Sequence, residues 1–277
     1  MNGKLTVYKN IAWAASIIVC LVALFVGLVV AAFTRYGGEK ERDDIVLGET
    51  TPAVQLGPIT VGRGENDPID VFEPVPESED GGQAYIDSLT FLLDSAAIGL
   101  RDYGLLSGGL ENQQVWGSNA GNIPVADLAE LSIRYPVDGS IISVGNAAMI
   151  AKPSRLVISV GSDGLSQVTK EEFIAAYEAL IRSIRENSPD TQILCCSLSS
   201  VVPDYDASDG LSSSLVGEAN EWIQTVCQET GCPYLDTGSV VRDSSGSLMS
   251  EFASANGKTL NSAGLNKILM YLRTHVA

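Results

Sequence analysis

Residues 155–197 read RLVISVGSDGLSQVTKEEFIAAYEALIRSIRENSPDTQILCCS, and the alternation within them decides the fold class. A short β-rich run, Arg155 to Val160, ends in the turn Gly161-Ser162-Asp163-Gly164. Thr169 then stands as an N-cap before Lys170 to Asn187, where Phe173, Ala176, Tyr177, Leu180, Ile181 and Ile184 recur at helical spacing, and Pro189 closes the helix. A second apolar run, Gln192 to Ser197, follows. Strand, helix, strand is the pattern of a parallel sheet covered on both faces.

Working outward, the same grammar continues. Leu89 to Leu93, Gln113 to Gly117 and Pro233 to Asp236 read as three more strands, which makes five, enough for a small α/β sandwich. Leu215 to Glu229 and Ala263 to Val276 repeat the helical stripe, and Ala96 to Tyr103 reads as a helix fed by the first strand. Ser132 to Ser143, with Asp138-Gly139 at its centre, predicts a hairpin inserted before the third strand.

The N-terminal third has a different composition. Residues 11–33 carry no charge and are rich in Val, Leu, Ile and Ala. At about 1.5 Å per residue they span a hydrocarbon core of roughly 30 Å, which predicts one transmembrane helix. A cleaved signal peptide is the rival reading, but its apolar region is normally about 7–15 residues. Lys4 and Lys9 on one side face Arg35, Lys40 and Arg42 on the other, so the positive-inside rule does not decide orientation. The short leader favours a cytoplasmic tail at 1–10, an anchor at 11–33 and an exported remainder at the cell membrane. Residues 34–82, with Gly37-Gly38, a charged run and the acidic, proline-spaced DPIDVFEPVPESED (67–80), read as a linker in which 54–61 could form a strand. The globular domain is expected at 83–277.

Charge and composition exclude several functions. Seventeen Lys and Arg against 34 Asp and Glu give a net charge of -17 over 277 residues, the wrong sign for a phosphate-backbone binder. The only histidine, His275, lies two residues from the C-terminus, which removes His-cluster metal sites and any mechanism needing two imidazoles. Of five cysteines, Cys20 falls in the span and Cys195 and Cys196 in an apolar run. Cys227 and Cys232 are spaced to loop back, as a disulfide or as two buried thiols.

In an open parallel sheet, ligands bind beyond the carboxyl ends of the strands, where strand order reverses. There the sequence places Asp94-Ser95, then Gly117-Ser118-Asn119-Ala120-Gly121, then Gly161 to Gly164. A serine at a helix start beside glycine-rich turns could have its oxyanion stabilised by backbone N–H groups, but taken alone Asp94 or Ser95 reads first as a helix cap.

Taken together, four blocks resemble the SGNH, or GDSL-type, hydrolases, and the resemblance covers about 85–277. FLLDSAAIGL (91–100) is similar to the nucleophile block, with Ser95 in the nucleophile position, Asp94 in its usual structural place and Leu93 where glycine is usual. WGSNAG puts Gly121 at the oxyanion glycine, and VISVGSDG puts Asp163 where the family uses an asparagine donor. ASANGKTLNSAGLNKILMYLRTH resembles the last block, with Asn256 at the triad aspartate and Thr259 at the triad histidine. The resemblance implies a flavodoxin-like three-layer α/β/α sandwich with a five-stranded parallel sheet, serine esterase ancestry and no cofactor.

The departures bear on the chemistry. A serine hydroxyl needs a base within reach, which threonine cannot be, and an ionised Asp163 would oppose a developing oxyanion. His275, at the far end of the terminal helix, is too distant to substitute. The reading is therefore a membrane-anchored, extracytoplasmic SGNH-like protein without esterase activity, keeping its cleft for an acylated glycan or another envelope component. An active esterase or deacetylase with an altered catalytic set is one alternative. A cation-dependent binding module, with Asp94 and Asp163 as weak Ca²⁺ or Mg²⁺ ligands, is another.

Overall fold

A computed structural model describes residues 72–277. The expected anchor, the cytoplasmic tail, Cys20, the strand at 54–61 and most of the linker lie outside them. Among the described residues no helix is long and apolar enough to cross a membrane.

Five parallel strands form the sheet: β1 (Leu89–Leu93), β2 (Val115–Trp116), β5 (Arg155–Ser159), β6 (Gln192–Cys196) and β7 (Tyr234–Leu235), in the order β2-β1-β5-β6-β7. β1 pairs with β5 from Leu89↔Arg155 to Leu93↔Ser159. The chain winds outward in one direction from β1 to β2 and in the other through β5 to β7, so the order reverses between β1 and β5. That reversal opens a crevice at their carboxyl ends. The inserted hairpin is present as β3 (Ser132–Arg134) and β4 (Ile141–Ser143), antiparallel with Ser132 opposite Ser143.

Each strand is buried on both faces, which is why it reads as an unbroken apolar run. Leu92, Leu156, Ile158, Ile193, Cys195 and Tyr234 enter one core, under α4 (Lys170–Asn187) and α5 (Ser213–Thr230). Phe91, Leu93, Val157, Leu194, Cys196 and Leu235 enter the other, under α6 (Ser262–Arg273). The two sets alternate with period two along the chain, as the pleat requires.

α4 has the expected bounds. Its N-terminus is closed by a reciprocal capping box: the Glu172 N–H donates to Thr169 Oγ1 at 3.2 Å, and the Thr169 N–H donates to Glu172 Oε2 at 2.8 Å. Phe173, Tyr177, Leu180, Ile181 and Ile184 are buried, and Ala176 packs at the margin.

Three features differ from the sequence reading. The helix expected from Ala96 shrinks to α2 (Gly99–Asp102), because the Asp94 side chain captures the Ala96 N–H at 3.1 Å and turns the chain tightly first. An additional helix, α3 (Val144–Ala151), follows the hairpin, capped by Ser143 Oγ accepting from the Asn146 N–H. It is apolar on most sides, so no polar–apolar period marks it. Gly145 lets it approach α4: a Cβ there would lie 2.7 Å from Ser183 Oγ and 2.8 Å from Asn187 Nδ2. Finally, the folded unit begins before residue 83. The Val75 N–H donates to the Tyr234 carbonyl at 2.8 Å, Phe72 packs on Tyr234, Asp80 pairs with Arg273, and Gly82–Asp87 forms α1.

Thr169→Ala removes half of the capping box. Urea denaturation should show a stability loss of about 1 kcal/mol with an unchanged denaturant slope.

Candidate active site

The crevice is organised by Asp94, which is 1% exposed at the end of β1. Its Oδ1 accepts the Ala96 N–H. Its Oδ2 accepts the Gly161 N–H at 3.1 Å, the Ser162 N–H at 2.9 Å and the Ser162 hydroxyl at 2.7 Å. One carboxylate thus closes the turn after β1 and ties it to the turn after β5, so Asp94, not Ser95, carries the cap. Burial first, and the negative charge of Asp163 second, push its carboxyl up to about 6, against the hydrogen bonds from Ser162 and Ala96 that favour ionisation.

With Asp94 holding the turn, Ser95 is free to face Asp163. The Ser95 hydroxyl donates to Asp163 Oδ1 at 2.5 Å. Asp163 Oδ2 accepts two backbone donors, the Ser95 N–H at 3.2 Å and the Ile123 N–H at 2.8 Å. Two N–H groups aimed at one point are the geometry that receives a developing oxyanion in acyl transfer. In this chain a side-chain carboxylate occupies that point.

Asn256 and Thr259 lie on the rim. Asn256 Oδ1 accepts the N–H groups of Lys258 and Thr259, and its Nδ2 donates to Thr259 Oγ1 at 2.8 Å. Ser95, Asp163, Asn256 and Thr259 line one cleft of about 390 Å³, shared with Asn122, Ser162, Gln167 and Asp209. Lys258 reaches Asp209 at 3.2 Å across its edge, and Leu165 and Leu211 supply apolar wall.

Gly121 does not join them. The Ser118 hydroxyl donates to the Asn122 carbonyl and Gly121 takes a φ of +85°, so the loop folds to bury Ile123 and turn the Ile123 N–H onto Asp163. Gly121 lines a separate hollow beside the β3–β4 hairpin with Arg134 and Tyr135. His275 stacks on Tyr271, ring centroids 3.7 Å apart, beyond the far end of α6 from the cleft. The α6 start sits at the cleft side, where the Leu260 N–H donates to the Ala96 carbonyl.

A profile of the GDSL-like lipase/acylhydrolase family matches residues 140–256, which takes in Asp163 and ends at Asn256. A solved structure described as a candidate platelet activating factor from Streptococcus pneumonia superposes with a TM-score of 0.52 at 17% identity, covering 74% of this chain and 85% of that one. The domain is SGNH/GDSL hydrolase-like. A structure described as a candidate GDSL-like lipase from Parabacteroides merdae ATCC 43184 matches with a TM-score of 0.49 at 16% identity, over 73% of this chain and 99% of its own. A structure described as a candidate lipolytic protein of the G-D-S-L family from Desulfitobacterium hafniense DCB-2 matches with a TM-score of 0.48 at 17% identity, over 68% and 98%. No curated protein matches the chain.

Within this SGNH/GDSL-like domain, sequence reasoning missed the Ile123 N–H, whose role depends on a loop path, and the tie from Ser162 to Asp94. Ser162 directly precedes Asp163, which is the one signal that could have drawn attention to it. The two carboxylates considered as cation ligands turn both oxygens toward N–H and O–H donors. Among the described residues, no three or more His, Cys, Asp or Glu side chains are arranged to hold a metal ion.

The raised Asp94 value has a defined thermodynamic sign. Its ordinary value is 3.8, so the folded chain holds an extra proton between about pH 4 and pH 6, and this group's contribution to stability falls as pH rises through that window. The unfolding free energy of wild type minus that of Asp94→Asn, followed by urea denaturation from about pH 4 to 7, should decrease with pH. A difference that grows with pH contradicts the assignment.

Proposed function

We propose that this chain is a membrane-anchored, extracytoplasmic SGNH-like protein whose cleft binds its ligand without hydrolysing it. The observation that carries the reading is the Asp163 carboxylate, which accepts the Ser95 hydroxyl and the Ser95 and Ile123 N–H groups together. An ester carbonyl entering the cleft would have to displace an anion already bonded to both backbone donors. The attacking hydroxyl, for its part, has no imidazole among the cleft residues, and Thr259 spends its Oγ1 accepting from Asn256. One missing oxyanion donor alone costs on the order of 10²–10³ in rate.

The walls favour a polyhydroxylated ligand. Ser166, Gln167, Asn122, Asn256 and Thr259 offer hydroxyls and amides, Lys258 and Asp209 offer charges, and Leu165 and Leu211 give a small apolar surface for an acyl group. An acylated glycan or another envelope component meets that description, and the uncharged stretch at 11–33 would hold the domain at the membrane where such ligands occur.

A second reading rests on the 2.5 Å hydrogen bond between Ser95 and Asp163, which could let a carboxylate accept the proton in an altered catalytic set. The two readings separate cleanly. Purified full-length protein should not turn over p-nitrophenyl acetate above buffer, nor should Ser95 take a fluorophosphonate label. The combined variant Asp163→Asn, Asn256→Asp, Thr259→His should gain ester turnover of at least about 10²-fold over wild type. Wild-type turnover abolished by Ser95→Ala would defeat the binding reading and establish the second.

A further inference from the structure

Away from the cleft, three thiols meet between β6, α5 and β7. Cys195 pairs in register with Tyr234, and Cys232 stands two residues before Tyr234, so the two cysteines share a sheet face as diagonal neighbours. Cys195, Cys227 and Cys232 are buried in the same core cluster. Gly231, at φ 68°, ends α5 and brings the chain back, and the Cys232 N–H donates to the Cys227 carbonyl at 3.1 Å.

A cation stands on one of these sulfurs. Arg185 of α4 donates from Nη2 to Cys232 Sγ at 3.2 Å and from Nη1 to the Thr230 carbonyl at 2.8 Å. Close by, the buried Tyr177 hydroxyl has no hydrogen-bond partner among the described residues. The three cysteines are free and buried, Cys232 at 3% exposure behind an exposed arginine.

We propose that Cys232 is a redox-reactive thiolate that forms an intramolecular disulfide with Cys195 by exchange with a small disulfide oxidant. Thiolates are the nucleophiles in such exchange, and a neighbouring guanidinium stabilises them. The neighbouring Cys195 thiol and the Arg185 guanidinium hold the Cys232 thiol below the usual thiol range in spite of burial. The neighbouring Cys227 and Cys232 sulfurs, with burial, push Cys195 well above it. Cys232 therefore attacks and Cys195 resolves.

The Cys232 thiolate bonds to one sulfur of the oxidant R–S–S–R and breaks its S–S bond, and the released RS⁻ takes the proton of Cys195. Cys195 sulfur then bonds to Cys232 Sγ and expels the second R–S⁻, which leaves protonated from solvent. Two protein thiols are oxidised and one disulfide is reduced to two thiols.

Oxidised glutathione serves as the probe. Full-length protein in detergent micelles is incubated with it, remaining thiols are blocked with N-ethylmaleimide in denaturant, and peptides are mapped without reduction. The expected product is a Cys195–Cys232 cross-linked peptide. Cys195→Ala should instead retain one glutathione on Cys232. Arg185→Gln should slow that adduct by about tenfold, with Arg185→Lys restoring most of the rate. A Cys227–Cys232 cross-link in wild type, an unmodified Cys232, or an undiminished rate in Arg185→Gln overturns the proposal.

Discussion

The domain depends on one buried carboxylate shared between two strand ends. Asp94 sits where β1 leaves the sheet, and the donors around it come from two segments nearly seventy residues apart in sequence, the turn after β1 and the turn after β5. A buried charge is tolerated only when its oxygens are met by donors, and Asp94 has four. The order reversal between β1 and β5 opens the crevice; Asp94 fixes the shape of its floor. Since Gly161 and Ser162 are spent on Asp94, the next residue, Asp163, is the one delivered to Ser95.

That delivery explains why an aspartate at position 163 is compatible with the fold. Asparagine and aspartate have the same shape, and the local requirement is for an acceptor facing the Ser95 and Ile123 N–H groups, which aspartate meets with full charge. The cost falls on Asp94, whose carboxyl is pushed up partly by the second anion. Structure and catalysis therefore make opposite demands at position 163: the resting chain is satisfied by an acceptor, whereas acyl transfer needs a donor.

Much of this was legible in the sequence, for reasons specific to each element. β1, β5 and β6 are buried on both faces, so their apolar runs are continuous and their starts fall where expected; α4 has a cap, a stripe and a stop. α3 escaped notice because it is apolar on most sides, and the helix after Ser95 was overestimated because side-chain capture of the Ala96 N–H cannot be read from propensity. In the site, Ser95, Asp163, Asn256 and Thr259 converge as their blocks suggested. Gly121 does not, because the path of its loop is set by burial of Ile123 and by a hydroxyl of Ser118 on the Asn122 carbonyl. A glycine's backbone freedom marks where a loop can turn, but not which N–H the turn will present.

The same distinction bears on how the cleft selects. A neutral carbonyl oxygen is a weaker acceptor than a carboxylate, and the Asp163 carboxylate is tethered at its target, so a carbonyl competes against both charge and proximity. A ligand that leaves the two N–H groups alone and bonds instead to the rim hydroxyls and amides faces no such competitor. On the proposed binding reading, this geometry penalises carbonyl-centred recognition and leaves recognition of hydroxyl-rich surfaces unpenalised. That asymmetry follows from the position of a single carboxylate, bonded to Ser95 and to the Ile123 N–H.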